Sequence, residues 1–79
     1  MNNIDNLRQC FRKALDLPAE AAVDNMQYAK LPVWDSVAHM RLIAEIERTF
    51  NIMFTTDQIL DMSSFAKAKE IIGGHGVEV

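Results

Sequence analysis

Apolar residues recur at steps of three, four and seven in three separate stretches of this chain, the period of a helix face rather than of a strand. The first stretch holds Ile4, Leu7, Phe11, Ala14 and Leu15. The second holds Leu42, Ile43, Ile46 and Phe50; the third holds Phe65, Ala68 and Ile72, with Ile71 beside them. A chain of 79 residues has room for one domain, 1–79, with a thin core, and not for a deep water-excluded site. The pattern predicts an all-α fold: a small bundle of three main helices plus one short helix.

The boundaries follow from caps and breakers. Asn2 or Asn3 can cap the first helix, and Asp5 suits its first turn. Pro18 cannot continue it and biases Leu17 away from helical angles, so it runs from about residue 3 to about residue 16. From Leu17 to Asp35 the period is weak. Pro18 and Pro32 bracket this stretch, and Val23, Met26, Tyr28, Leu31, Val33 and Trp34 can pack it onto the bundle. It reads as a long ordered crossover, with a helical turn near Glu20 to Val23.

Asp35 and Ser36 are both good N-caps and open the strongest helix. Arg41, Glu45 and Arg48 fall on its flanks, where Glu45 can pair with either arginine. Asn51 is its terminator, and Ile52, Met53 and Phe54 make a short apolar connector. Thr55 to Gln58 fits a capping box, so a short helix over about Asp57 to Asp61 is expected. Ser63 or Ser64 caps the last helix, Gly73-Gly74 stops it, and the tail from His75 to Val79 should fray.

A net charge of −3 argues against nucleic acid, whose phosphates need clustered Lys and Arg. Arg8, Arg12 and Lys13 form the one dense basic group and read as a solvated helix end near the negative pole of the dipole. The opening MNNIDNL lacks the basic and apolar regions of a signal peptide, and no apolar run approaches a membrane span. A cytoplasmic monomer is expected. The single cysteine, Cys10, can form no internal disulfide and reads as a small core residue. One Cys with His39 and His75 gives no metal-ligand spacing. His39 could touch a phosphate or partner but reads better as a helix-surface or core-edge residue. Trp34 reads as a loop anchor that also shields the start of the next helix, and Met26 and Met53 as pliable filler.

Ser36 is the informative residue. At a helix start several N–H groups are unpaired and the dipole is positive, so an anion attached there is stabilised. No base stands beside it in sequence, so Ser36 alone is a poor nucleophile and a better handle for another enzyme to modify. Asp-Ser alone is also the signature of an ordinary N-cap. The context is more specific. Asp35-Ser36-Val37, then Met40, Leu42, Ile43 and Ile46, then Glu47-Arg48-Thr49-Phe50, then Ile52 and Phe54 resemble the attachment region of acyl carrier proteins. The order of helices is similar over nearly the whole chain.

The resemblance implies a carrier with no chemistry of its own. A phosphopantetheinyl transferase would move 4′-phosphopantetheine from coenzyme A to Ser36, with Asp35 beside it. The arm's thiol would hold acyl groups as thioesters for acyl ligases, synthases and acyltransferases. Partners would dock on the second helix at Val37, Met40, Arg41, Ala44 and Glu47. An apolar strip of that kind at helical spacing, rimmed by charge, suits a partner groove. Pliable filler could let the core open for an acyl chain.

The chain departs from the family pattern in three places. Val37 replaces Leu, and Ala38 and Arg41 stand where carboxylates are frequent. Glu45, Glu47, Asp57 and Asp61 are left to steer basic partners. The expectation shifts from housekeeping fatty acid biosynthesis toward a specialised secondary, polysaccharide or lipid pathway. Two alternatives stay open: an aminoacyl or peptidyl carrier, and an unmodified helical adaptor that binds a partner helix.

Overall fold

A computed structural model describes residues 3–28 and 34–79. Four helices follow in order: α1 Asn3–Ala14, α2 Ser36–Phe50, α3 Thr56–Asp61 and α4 Phe65–Gly74. The expected cap at Asn2, the expected packing of Leu31 and Val33, and Pro32 lie outside the described residues.

Helix α1 buries Leu7, Phe11 and Ala14 of the sequence period together with Cys10, while Ile4 is half-buried and Leu15 is buried just past the helix end. It ends through a left-handed residue, Asp16, with φ of 56°. Leu17 N–H donates to Arg12 C=O at 2.7 Å and Asp16 N–H to Lys13 C=O at 3.4 Å, the paired bonds of a Schellman stop. Helix α2 closes the same way at Asn51, φ 55°, with Ile52 N–H donating to Glu47 C=O at 3.1 Å. Asparagine tolerates this conformation well, whereas aspartate also puts its charge at the negative end of α1.

Helix α2 turns Ala38, Leu42, Ile43 and Ile46 into the core and packs against α1. The Cys10 thiol donates to Thr49 Oγ1 at 3.3 Å, and burial pushes it up from its ordinary value although that contact opposes the shift. A buried, protonated thiol is chemically quiet. Glu45 takes Arg48 at 2.6 Å and Lys13 at 3.3 Å, not Arg41. Partial burial pushes its carboxyl up, but the Arg48 and Lys13 contacts outweigh this and hold it below the ordinary value.

The crossover has no helical turn at Glu20 to Val23. It makes two hydrogen-bonded turns, Ala21 N–H to Pro18 C=O and Met26 N–H to Val23 C=O, each 3.0 Å. Helix α1 pins it. Arg8 makes a two-pronged contact with Asp24, 2.9 Å through Nε and 2.9 Å through Nη2, and a third bond to Asp5 at 2.8 Å. These contacts raise the Arg8 guanidinium and hold the Asp24 carboxyl below its usual range. Arg12 Nε donates to Ala21 C=O at 2.8 Å. The basic group read as a solvated helix end is therefore a set of clamps, whose partners lie too far along the chain to show as a local pattern. The crossover's far end zips onto the α3–α4 junction: Tyr28 N–H donates to Ser63 C=O at 2.8 Å and Phe65 N–H to Met26 C=O at 3.1 Å.

Helix α3 has the expected capping box, Gln58 N–H to Thr55 Oγ1 at 3.1 Å and Thr55 N–H to Gln58 Oε1 at 3.0 Å. Ser64 caps α4, its hydroxyl accepting from Lys67 N–H at 3.0 Å. Two expectations at this end of the chain need correcting. Helix α4 runs through Gly73 and Gly74 to a cap at His75, because Ile71 and Ile72 are already buried against the bundle. The glycine with positive φ among the described residues is Gly76, at 87°. The tail is held rather than frayed: His75 stacks on Phe54 and bonds Gln58 Oε1 at 3.0 Å, while Val77 and Val79 pack on the core. Met26 fills the core as expected, but Met53 is 80% exposed and fills nothing.

Asp16→Gly removes both the left-handed penalty and a misplaced charge. It should stabilise the fold by about 1 kcal/mol, raising the thermal midpoint by several degrees. A thermal scan followed by circular dichroism checks this; an unchanged or lower midpoint contradicts it.

Candidate functional site

The start of α2 is where the exposed chemistry gathers. Asp35 is the N-cap: its φ and ψ are −100° and −172°, and its carboxylate accepts from Ala38 N–H at 2.9 Å. That bond satisfies one orphan donor and leaves Ser36 as the first helical residue. Both Asp35 and Ser36 are exposed. A hydroxyl here stands at the positive end of a helix of 15 residues, the longest in the chain, where negative charge is favoured.

Two apolar surfaces flank Ser36. One is an open groove along α2 lined by Ser36, Val37, Met40, Arg41 and Ala44. Val37 is 63% and Met40 54% exposed, so this strip does not belong to the core, which lies on the Ala38 face. The other is a smaller cleft of about 110 Å³ between the crossover and α3, lined by Tyr28, His39, Ile59, Leu60 and Met62. The groove brings together Ser36, Val37, Met40, Arg41 and Ala44, all put forward from sequence. It does not include Glu47, whose carboxylate accepts from Phe54 N–H at 2.8 Å. Glu47 holds the connector after α2, a contact seven residues along and invisible to helix spacing.

Behind the site stands a buried ring cluster. Trp34 is fully buried and meets Phe11 edge-on at 5.3 Å and Tyr28 at 5.9 Å. Its indole N–H donates to His39 Nδ1 at 3.0 Å. Since an indole only donates, His39 carries its proton on Nε2 and donates to Ile59 C=O at 2.8 Å. His39 thus fits the core-edge reading and has no ring nitrogen left for a phosphate. Trp34 supports the site from beneath rather than covering it.

One residue of the site escaped the sequence reading. The Tyr28 hydroxyl lies 3.3 Å from Ser36 Oγ. In sequence Tyr28 counts as one more apolar residue of the crossover. Its polar end becomes relevant only when the crossover folds back against α2.

Among the described residues, no group of three or more His, Cys, Asp or Glu side chains could hold a metal ion. No helix among them is long and apolar enough to cross a membrane.

Compared with known families, the chain matches the family model described as phosphopantetheine attachment site over residues 5–71. No curated protein matches it.

The Trp34–His39–Ile59 relay should hold this end of the bundle together. His39→Phe keeps a ring against Trp34 but leaves a buried indole N–H and a backbone carbonyl without their partner. The variant should lose about 2 kcal/mol, read as a lower urea midpoint at an unchanged slope. An unaltered midpoint would show that the relay is dispensable.

Proposed function

The chain belongs to the phosphopantetheine attachment family, and from that premise we propose that Ser36 bears the arm and that the protein is an acyl carrier. Members of the family carry 4′-phosphopantetheine covalently on a serine. The chain has three serines, Ser36, Ser63 and Ser64. Ser64 spends its hydroxyl on the α4 cap. Ser63 lends its backbone carbonyl to Tyr28 and sits in the short linker between α3 and α4. Ser36 alone combines exposure, the positive end of a long helix and an adjoining apolar groove. That combination is the observation on which the reading rests.

The residues fit the group they would bear. The Ser36 hydroxyl is accessible, and the α2 dipole favours the charge of a phosphodiester at that oxygen. Asp35 orders the helix start through Ala38 N–H and so fixes the backbone on which the arm stands. In the attachment step Ser36 Oγ forms a new P–O bond while the pyrophosphate bond of coenzyme A breaks. Adenosine 3′,5′-bisphosphate leaves, and the serine proton passes to a base of the transferase; the adjoining Asp35 carboxylate is engaged by Ala38 N–H. When bound, the arm supplies a thiol that holds acyl cargo as a thioester.

Docking falls to the groove. Val37, Met40 and Ala44 present an apolar strip that begins at the arm, and Arg41 adds a cation to its rim. Of the carboxylates expected to steer partners, Glu45 is engaged by Lys13 and Arg48, Glu47 by Phe54 N–H and Asp61 by Lys67 at 3.3 Å. The first turn of α2 has no acidic residue. Such a surface suits partners that read apolar shape more than strong negative charge. This supports a dedicated set of acyl ligases, synthases and acyltransferases in a secondary, polysaccharide or lipid pathway of the cytoplasm, rather than the general fatty-acid enzymes.

Incubation of the apo protein with coenzyme A and a broad-specificity phosphopantetheinyl transferase should add the mass of one arm. Ser36→Ala should abolish the addition, whereas Ser63→Ala and Ser64→Ala should retain it. Loss in either of the latter alone, or none in Ser36→Ala, overturns the assignment. On the loaded protein, Met40→Glu should slow transfer to the cognate enzyme by about tenfold or more, the effect of losing one well-buried interface anchor, with an unchanged unfolding midpoint. Unaltered transfer would remove the groove from the docking surface.

A further inference from the structure

We propose that Tyr28 is a positioning residue for the arm: its phenol hydroxyl holds the Ser36 side chain before attachment and donates to the phosphodiester afterwards. The inference rests on Ser36 being the point of attachment.

The ring is held firmly for a residue of the crossover. It packs edge-on against Trp34 at 5.9 Å and against His39 at 5.2 Å, and its backbone N–H is bound to Ser63 C=O at 2.8 Å. Gln27, the preceding residue, forms a backbone bridge with Ser64. Crossover, α2 and the α3–α4 junction therefore all fix where the phenol oxygen lies. That oxygen is 3.3 Å from Ser36 Oγ, while the residue as a whole stays 38% exposed. It is rigid, in reach and open to a group growing outward from the serine.

Attachment changes the hydrogen-bond roles. Before it, either hydroxyl can donate to the other. Once Ser36 Oγ is a bridging ester oxygen it has no hydrogen, so Tyr28 must be the donor of the pair. A phosphodiester is an anion, and a hydroxyl bonded to its free oxygens makes a stronger, charge-assisted contact than hydroxyl to hydroxyl. Two neighbouring polar groups cannot take that part. The nitrogens of His39 are committed to Trp34 and Ile59, and the carboxylate of Asp35 repels an anion. Tyr28 also lines the α3 cleft, so its bond draws the base of the arm to that side and leaves the α2 groove clear for a partner.

Tyr28→Phe keeps the ring contacts and deletes only the hydroxyl. In the arm-bearing protein, the phosphorus-31 resonance of the phosphodiester should move by more than its line width between wild type and variant. The initial rate of arm attachment at limiting protein should fall about three- to tenfold, the effect of one hydrogen bond, with the thermal midpoint held. Identical phosphorus resonances and attachment rates overturn the role of Tyr28 while Ser36 stays the attachment point. A wild type that accepts no arm, or accepts it on another serine, overturns the underlying reading instead. Should Tyr28→Phe fail to fold, the wild type still decides. The Tyr28 ring carbon bearing the hydroxyl should change its carbon-13 shift on attachment, and no change refutes the proposal.

Discussion

The fold turns on the burial of Trp34. A chain of this size has few interior positions, and its largest side chain occupies the centre. Trp34 meets Phe11 of α1 and Tyr28 of the crossover, and through His39 it reaches α2 and the Ile59 carbonyl of α3. Phe11 passes the contact on to Phe65 of α4 at 5.0 Å. Every helix is thus one or two contacts from one indole. Its lone polar atom would be costly in that position without a partner, and His39 is placed to accept from it. The requirement is specific: an acceptor that can also donate outward on the far side of its ring, which histidine provides and a carboxylate does not.

That arrangement explains how a thin core can support an exposed working end. Trp34 stands two residues before Ser36. Anchoring it fixes the backbone just ahead of α2, and the Asp35 cap fixes the first turn. Ala38 and Leu42 then commit one face of α2 to the interior. With that face fixed, helical spacing puts Val37, Met40 and Ala44 outward. The serine and the apolar strip need no support on their outer side, because the inner side already determines their direction. Stability falls to the inner face of α2, while the proposed attachment point and groove lie on its outer face.

The parts of this fold legible in the sequence are those set by neighbours within one or two turns. The helix faces, the Asp35 and Ser64 caps, the Thr55–Gln58 box and the Asn51 stop are all local, and all appear as the residues dictate. The unread parts are those set by partners far along the chain. Arg8 has its salt-bridge partner Asp24 sixteen residues away, so its cluster resembled a solvated end. Gly73 and Gly74 resembled a stop, yet α4 continues through them because Ile71 and Ile72 are packed. A tail with two valines and a histidine looked frayed until Phe54 and Gln58 came to meet it. At the candidate site, the place of Ser36 at the start of α2 could be read because a helix start is a local feature. Tyr28 could not, because its distance from Ser36 depends on how the crossover closes.

The same distinction bears on what kind of carrier this is. Counting charges along α2 suggests that Glu45 and Glu47 remain to attract basic partners. In the folded chain both carboxylates are engaged, Glu45 with Lys13 and Arg48, Glu47 with the Phe54 backbone. A carboxylate already paired with cations contributes little long-range field, because the pair's opposite charges nearly cancel beyond a Debye length. This cancellation applies to Glu45; the amide bonded to Glu47 is neutral and offsets none of its field, so α2, with Ala38 and Arg41 where carboxylates are frequent, has a weakened rather than an absent acidic field. What α2 presents beside Ser36 is apolar shape with Arg41 at its edge. Recognition on such a surface depends on close fit rather than steering, so association is slower and discrimination is set by contact geometry. Under the function proposed above, those are the properties of a carrier that serves a few dedicated enzymes.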